Sequence, residues 1–469
     1  MARVRLFRHY FYVPYLFLSA LELGILVGVC YASIFIRHFG ELDFFLRHLD
    51  EPTASAWVFG LIHVLVMTAI GVYPTKVVEG LSGMMVRSIF SIIIGTVLLS
   101  FLVYLIGDTL WYLRDGVLEM ASVLSLFLFG ISRSLFFFLI PEDNFRRKVL
   151  VLGAGSRARN LIDELEGPGS RQAIEIVGFV PVPGESVAVD ATQTVPAFND
   201  LSRYIKGSPV EEIVVALDDR RKKLPLDDLL ECKMEGVNIV EEATFLEREV
   251  RKVALDLLQP SWMIYSDGFG AISATQFYKR VFDILASLVL LLVSWPVMIL
   301  TAVAIKLEDG WHAPILYRQE RVGLNGIPFR VVKFRSMGVD AERNGAVWAS
   351  QQDPRVTRVG GFIRKVRIDE LPQIFNVLVG NMAFVGPRPE RPMFVEALSQ
   401  KLPYYHQRHR VKPGITGWAQ LCFSYADSEH DSKEKLRYDL YYIKNQSFLL
   451  DLVILIQTVE VVLFKKGSR

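Results

Sequence analysis

Four apolar stretches, residues 11–36, 54–73, 86–107 and 117–140, fill most of the first third of the chain. Each is about twenty residues or longer, the length a helix needs to cross a hydrocarbon core of roughly 30 Å. A backbone surrounded by lipid must satisfy its own hydrogen bonds, so such runs have one regular solution, a membrane-spanning helix. With 51% hydrophobic residues in a chain of 469, a membrane anchor carrying soluble domains is expected. Arg3, Arg5 and Arg8 precede the first run, Lys76 and Arg87 lie between the second and the third, and Arg146, Arg147 and Lys148 follow the fourth. The loops at 41–51 and 108–115 are mixed or acidic. That bias puts the N-terminus and residue 146 in the cytoplasm. Glu22, His63 and Arg133 lie within the spans, each read as isolated and assigned to helix packing ahead of function.

The first run is too long for a cleavable signal peptide and lacks a small-residue cleavage site. Cys30, Cys232 and Cys422 are scattered and form neither a metal spacing nor a disulfide framework. A net charge of +2 argues against nucleic acid as a partner.

After the spans, KVLVLGAG at 148–155 reads as a buried strand entering a Gly-rich turn, with a polar helix at 156–166. Gly153, Gly155 and Ala158 occupy the fingerprint positions of a nucleotide-binding βαβ unit. Further strands are expected at 174–180, 212–216 and 238–240. Where a dinucleotide site needs an acid for the ribose, the chain runs Val180-Pro181-Val182-Pro183. Residues 146–265 are therefore read as a Rossmann-like domain of structural or regulatory kind, with Gly153 and Gly155 as its candidate cofactor-binding positions. Gly268 and Gly270 mark a linker at 266–278.

Residues 281–305 are apolar apart from Asp283, and are flanked by Lys279 and Arg280 before and Lys306 after. Pro296, near the middle, removes a helical hydrogen bond. Four preceding spans leave residue 279 in the cytoplasm, and a fifth crossing would put everything after Lys306 outside. A re-entrant helix–break–helix keeps both cationic ends on one face, with Ser294 available to bond freed carbonyls. The apolar segment 447–464 holds Asp451, Gln457 and Glu460 and is read as an interfacial amphipathic helix.

The chemistry concentrates in RKVRIDELPQIFNVLVGNMAFVGPRPE, 364–390. Asp369 and Glu370 stand just ahead of Pro372, a residue favoured in the first turn of a helix. Their expected place is a helix N-terminus, where the dipole stabilises carboxylate and attracts phosphate. Arg364, Lys365, Arg367 and Arg388 add cationic donors. Ionised carboxylates among phosphate-binding groups suggest phosphoryl transfer, one acid as nucleophile and the other holding a metal.

These residues resemble a monotopic phosphoglycosyl transferase, the bacterial polyprenyl-phosphate sugar-1-phosphate transferases. The likeness rests on KRVFDILASLVLLL from Lys279, ILYRQERVGLNGIPFRVVKFRSM from Ile315, RIDELPQIFNVL from Arg367, VGPRPERP from Val385, VKPGITGWAQ from Val411 and YDLYYIKN from Tyr438. Together they cover nearly all of 276–469. The four spans and Rossmann-like domain resemble the long form of the family, as in initiating enzymes of exopolysaccharide synthesis and transferases linked with exosortase-type systems. The implied architecture is an α-helical membrane bundle of four spans at 1–145, the Rossmann-like α/β domain, and an α-rich catalytic domain at 279–469 on the cytoplasmic face of the bacterial inner membrane. The resemblance implies that Asp369 attacks the β-phosphate of a UDP-sugar and expels UMP, and that undecaprenyl phosphate then takes the phosphosugar. It implies Mg²⁺ as cofactor, held by Glu370, with Lys333, Arg364, Arg388 and Asp439 binding substrate. By analogy with long-form members it suggests a homodimer. The chain departs from the family in having Trp295 where Ser usually precedes the re-entrant proline.

Two rival readings remain. A membrane nucleotide-sugar dehydratase would need a Tyr-x-x-x-Lys dyad and a ribose-binding acid in the middle domain. A non-catalytic scaffold for polysaccharide export would predict loss of the acidic pair or the arginine turn, and both are present. Four spans without clustered charge or inverted repeats do not suggest a transporter.

Overall fold

Each apolar run folds as a helix in the computed structural model: α1 (Val13–Arg37), α2 (Thr53–Ile70), α3 (Leu81–Leu105) and α4 (Val117–Leu139). A short antiparallel hairpin, β1 (Arg3–Leu6) and β2 (His9–Tyr12), precedes them. The structure describes residues 3–6, 9–37, 53–70, 72–73, 81–105, 110–114, 116–139, 146–166, 174–195, 201–219, 224–255, 273–338, 341, 355–423 and 428–464. The predicted acidic loop at 41–51 and the linker glycines Gly268 and Gly270 lie outside them. The chain divides into two units, Met1–Val250 and Arg251–Arg469.

In the first unit, α1 packs on α2 and α4, and α3 packs on the same two helices, so the four close into a bundle. At 18 residues α2 is the shortest, about 27 Å long. The reading of Glu22 and Arg133 as isolated is corrected. Their side chains, both fully buried, form a two-pronged ion pair between α1 and α4, with Arg133 Nε 2.6 Å from Glu22 Oε1 and Nη2 2.9 Å from Oε2. The hydroxyl of Tyr73 donates to the same carboxylate, and Arg133 Nη1 donates to the Met84 carbonyl. A charge in lipid is tolerable only when paired in this way. His63 Nδ1 lies 2.8 Å from the Phe59 carbonyl one turn back, and its buried Nε2 makes no hydrogen bond among the described residues.

The same unit contains a four-stranded parallel sheet in the order β4-β3-β5-β6: β3 (Arg147–Leu152), β4 (Ile174–Val180), β5 (Glu212–Val215) and β6 (Asn238–Glu241). These strands fall where the alternation of apolar runs and turns predicts them. The helices between are α5 (Ser156–Glu166), α6 (Leu201–Lys206) and α7 (Leu226–Met234), and α8 (Glu242–Val250) ends the unit.

The second unit starts earlier than the sequence suggests. Residues 251–255, assigned to the middle domain, pack here instead: Trp418 Nε1 donates to the Arg251 carbonyl, and Val253 exchanges hydrogen bonds with Arg437. The long apolar segment is one continuous helix, α9 (Ser273–Asp309), 37 residues with Pro296 inside it. Ser294 does not bond a freed carbonyl; its hydroxyl points at the Met298 sulfur, 3.8 Å away. Both ends of α9 are tied to the unit's globular part. Lys279 bonds Asp451 at 2.5 Å, Arg280 donates to the Val377 and Leu378 carbonyls, and Glu308 accepts from the Arg358 and Val359 amides. Between them, Leu288, Leu292, Val293 and Leu300 are exposed.

The globular part is built from a β7–β8 hairpin (Leu316–Val322, Pro328–Phe334), α10 (Arg358–Lys365), α11 (Gln373–Val379), a parallel pair β9 (Ala383–Val385) and β10 (Gly414–Thr416), α12 (Pro392–Lys401), α13 (Trp418–Cys422), α14 (Glu429–Lys444) and α15 (Phe448–Phe464). Its core is aromatic and aliphatic, centred on Val377, Met382, Tyr405, Trp418, Tyr438 and Tyr442. On α15, Asp451 is buried and accepts from Lys279 and Tyr442, and Thr458 bonds Thr416.

Candidate active site

The site begins with the hairpin. Asn376 of α11 reads the free edge of β8, its Oδ1 accepting from the Val332 amide at 3.0 Å and its Nδ2 donating to the Arg330 carbonyl at 2.8 Å. That double bond fixes the register of helix against strand and sets the next residue, Lys333, opposite Glu370: Lys333 Nζ lies 3.0 Å from Oε1. Nothing in the pattern of LPQIFN marks Asn376 for this role, because a lone Asn in a short helix usually signals a turn.

Asp369 and Glu370 do not begin α11. They occupy a single 3-10 turn of their own, Ile368–Glu370, entered through Arg367 in the left-handed region at φ 62°. A non-glycine residue held there is strained by roughly 1–3 kcal/mol, a cost met by surrounding packing. Pro372 caps the seven-residue α11 behind them.

The two carboxylates have opposite surroundings. Glu370 is approached by Lys333, by Arg367 at 3.6 Å and by Arg388 at 3.7 Å, and the closest approach of all three is to Oε1. Burial alone would raise its carboxyl; the charges of Lys333, Arg388 and Arg367 outweigh burial and hold it down at about 2. Asp369 is also buried, but its Oδ1 has no hydrogen-bond partner. Burial, then the charge of Glu370, push its carboxyl above the usual aspartate range, against Lys333, Arg364 and Arg367. Adjacent acids driven apart in this way take different roles in a reaction.

Asp369 lines a cavity of about 360 Å³, within the range of small-molecule sites. Lys333, Arg335, Arg364 and Arg391 line it too, four cations facing one carboxylate, a surface suited to a multiply charged anion. Sequence reasoning missed Arg335 and Arg391. A second, open groove of about 700 Å³ shares Pro314, Leu316 and Phe334 with it and is lined by Met298, Ile299 and Ala302 of α9.

Of the predicted site residues, Asp369, Lys333 and Arg364 meet at the cavity, and Glu370 and Arg388 meet beside it. Asp439 is elsewhere. It is 2% exposed and its Oδ2 accepts from Arg408 Nη2 at 2.8 Å and Nε at 3.1 Å, so this carboxylate faces a guanidinium and does not line the cavity.

Arg388 stands on an irregular turn next to a glycine seam. A Cβ on Gly386 would come within 2.3 Å of the Lys412 carbonyl oxygen, one on Gly414 within 2.1 Å of the Gly386 amide, and one on Gly417 within 2.2 Å of the Gly386 carbonyl oxygen. The two glycine motifs, VGPRP and KPGITG, are thus one feature, two backbones in direct contact.

The donor set fits magnesium. Among the described residues no group of three His, Cys, Asp or Glu lies together, as a structural zinc site would require. Mg²⁺ takes one or two carboxylates with waters and substrate phosphates, which the adjacent acids and the bare Asp369 Oδ1 can supply.

In the first unit, the Gly-rich turn carries an anion already. Asp218 accepts from the Ser156 amide, the Ser156 hydroxyl and the Arg157 amide, each at 2.9 Å, at the start of α5. Gly155 has no room for a Cβ because Asp218 Oδ2 would lie 2.3 Å from it, and Gly153, at φ 115°, lies against the Ala216 carbonyl. The needs of both glycines are met by the chain's own groups, and a nucleotide phosphate there would have to displace a carboxylate.

Comparison with known proteins bears on the C-terminal half. The family described as bacterial sugar transferase matches residues 274–465. A UDP-N-acetylgalactosamine-undecaprenyl-phosphate N-acetylgalactosaminephosphotransferase of Aeromonas hydrophila is 48% identical over 193 residues, 41% of this chain and 45% of that protein. The exopolysaccharide production protein PSS of Rhizobium leguminosarum bv. phaseoli is 40% identical over 190 residues, 39% of this chain and 92% of that protein. A UDP-glucose:undecaprenyl-phosphate glucose-1-phosphate transferase of Xanthomonas campestris pv. campestris is 31% identical over 309 residues, 63% of this chain and 62% of that protein. The match therefore spans less than half of the Aeromonas protein and nearly all of the Rhizobium one.

Proposed function

The chain belongs to the family of bacterial sugar transferases, and from that premise we propose that it moves a sugar-1-phosphate from a UDP-sugar to undecaprenyl phosphate, releasing UMP. The observation that carries this reading is the bare, buried Oδ1 of Asp369 at a cavity lined by four cations. Asp369 attacks the β-phosphorus; the bond from that phosphorus to the bridging oxygen breaks, and the oxygen leaves with UMP. An oxygen of the acceptor phosphate then attacks the same phosphorus and frees the carboxylate. Two displacements through one nucleophile give ping-pong kinetics. Lys333 and Arg364 balance phosphate charge at the cavity, and Glu370, ionised at any working pH, holds Lys333 and Arg388 in place. Bound at the acidic pair through Glu370, Mg²⁺ would neutralise diphosphate charge.

The sugar is not assigned by any lining residue, and the donors printed for relatives differ. The test is product identity. Purified protein with Mg²⁺, undecaprenyl phosphate and a panel of UDP-sugars should release UMP for one or two of them; UDP as the released nucleotide would overturn the reaction class.

The same reading has α9 enter and leave the lipid on one face, at the cytoplasmic side of the inner membrane. In support, both ends of α9 bond to the globular part of their own unit while the apolar middle is exposed. A straight helix of 37 residues would part its ends by about 55 Å, so a bend is expected at Pro296. The apolar groove beside α9 gives an isoprenoid chain a path from lipid to Asp369. We propose too that the Gly-rich domain is Rossmann-like, with Asp218 in the anion position. Cysteines placed at 279 and 306 and labelled with a membrane-impermeant reagent should react from the same face; opposite faces would exclude the re-entrant geometry.

A further inference from the structure

The turn that carries Arg388 has no regular secondary structure, yet every carbonyl from 387 to 390 is bonded. The Pro387 oxygen accepts from the Gly414 amide at 2.9 Å, and the Glu390 oxygen from the Val322 amide at 2.9 Å. The two between them accept from side chains: the Arg388 oxygen from Arg408 Nη2 at 3.0 Å and the Pro389 oxygen from Arg321 Nη1 at 2.9 Å. Arg408 is 5% exposed, and it also donates to Asp439 through Nε and Nη2 and to the Tyr405 hydroxyl through Nη1 at 2.9 Å. Neither arginine lines the cavity.

Resting on the transferase reading above, we infer that Arg408, oriented by Asp439, is a positioning residue: it locks the backbone of residue 388 so that the Arg388 side chain points at Glu370 and at substrate phosphate. Arg321 locks the neighbouring carbonyl from the other side. The chemistry favours this division. A guanidinium has a planar fork with donors in fixed directions, so one group can bond a carboxylate and a carbonyl at once, which an ammonium cannot do. A buried Arg–Asp pair adds little net stability compared with apolar residues of the same shape, so its presence calls for another role. Here it converts an irregular turn into a fixed mount. Asp439 accordingly acts on the reaction through Arg408 and the turn, with no contact to substrate.

The test is a mutational cycle on the full chain, assayed with Mg²⁺, undecaprenyl phosphate and the UDP-sugar that wild type turns over. Arg408→Met combined with Asp439→Leu removes both charges together, which avoids a lone buried ion. Arg408→Lys keeps the charge and loses the fork. Each is expected to unfold near the wild-type temperature and to lower kcat by about 100-fold, the scale of a displacement of about 1 Å in a reacting centre. Arg388→Ala should cost a similar factor. Because the pair acts through Arg388, adding Arg388→Ala to either variant should cost no more than a few-fold beyond it. Losses that multiply would mean independent effects and overturn the inference, as would wild-type rates in both variants. If the neutral pair does not fold, the Arg408→Lys cycle decides alone. Wild type releasing no UMP from any UDP-sugar would instead remove the transferase reading, and this inference with it.

Discussion

Asp369→Asn is expected to leave the fold intact and to abolish UMP release, a loss of about 10,000-fold or more, as removal of a covalent nucleophile does elsewhere. The amide keeps the shape of the side chain and removes the attacking oxyanion. Stability should hold, because the site already keeps this carboxyl above the usual aspartate range; a neutral group suits the buried position. The same assay run against pH carries a second signature. The carboxylate must be ionised to attack, so kcat/KM falls as pH drops through the pKa of Asp369. That pKa is raised, so the acid limb should lie above the ordinary aspartate value of about 3.9. Glu370, held at about 2, is ionised throughout and contributes nothing to that limb. A limb at or below the ordinary value would show that another group governs the rate. Retention of substantial activity by the asparagine variant would end the covalent mechanism.

In the membrane bundle, Arg133→Leu should destabilise by about 3–5 kcal/mol, the cost of leaving Glu22 buried without its partner. Adding Glu22→Gln should recover much of the loss, since the remaining amide can still accept from Tyr73. The measurement is thermal or denaturant unfolding of wild type and the two variants in detergent micelles. Equal stability of Arg133→Leu and wild type would mean that water or lipid headgroups reach Glu22 and that the bundle is open at this level.

What could be read from the sequence follows from range. The apolar runs, the strands of the parallel sheet and α5 are local patterns, and they form where hydrophobic periodicity puts them. The partnership of Glu22 with Arg133 was not legible, because it joins residues 111 apart and depends on how two uniformly apolar helices are rotated about their axes. Lys333, Arg364 and Arg388 were found through whole motifs, but Arg408 and Asn376 were not: each acts on backbone carbonyls or amides that carry no sequence identity. Asp439 was given a substrate by the resemblance of its YDLYY segment to the family, whereas its carboxylate is buried against Arg408. The left-handed Arg367 could not be foreseen at all, since the usual marker for that conformation is glycine or asparagine.

Where Gly386, Gly414 and Gly417 touch, the gap between the two backbone segments is narrower than a methyl group. Those three positions are closed to mutational drift, and no compensating change in a neighbouring side chain can reopen them, because the obstructing atoms are main chain. None of the three lines the cavity beside Asp369, so variation in the ligand accepted there must fall on the cavity's own lining. Tyr317, Gln319 and Met337 are the places to look for it, and the places to begin a redesign.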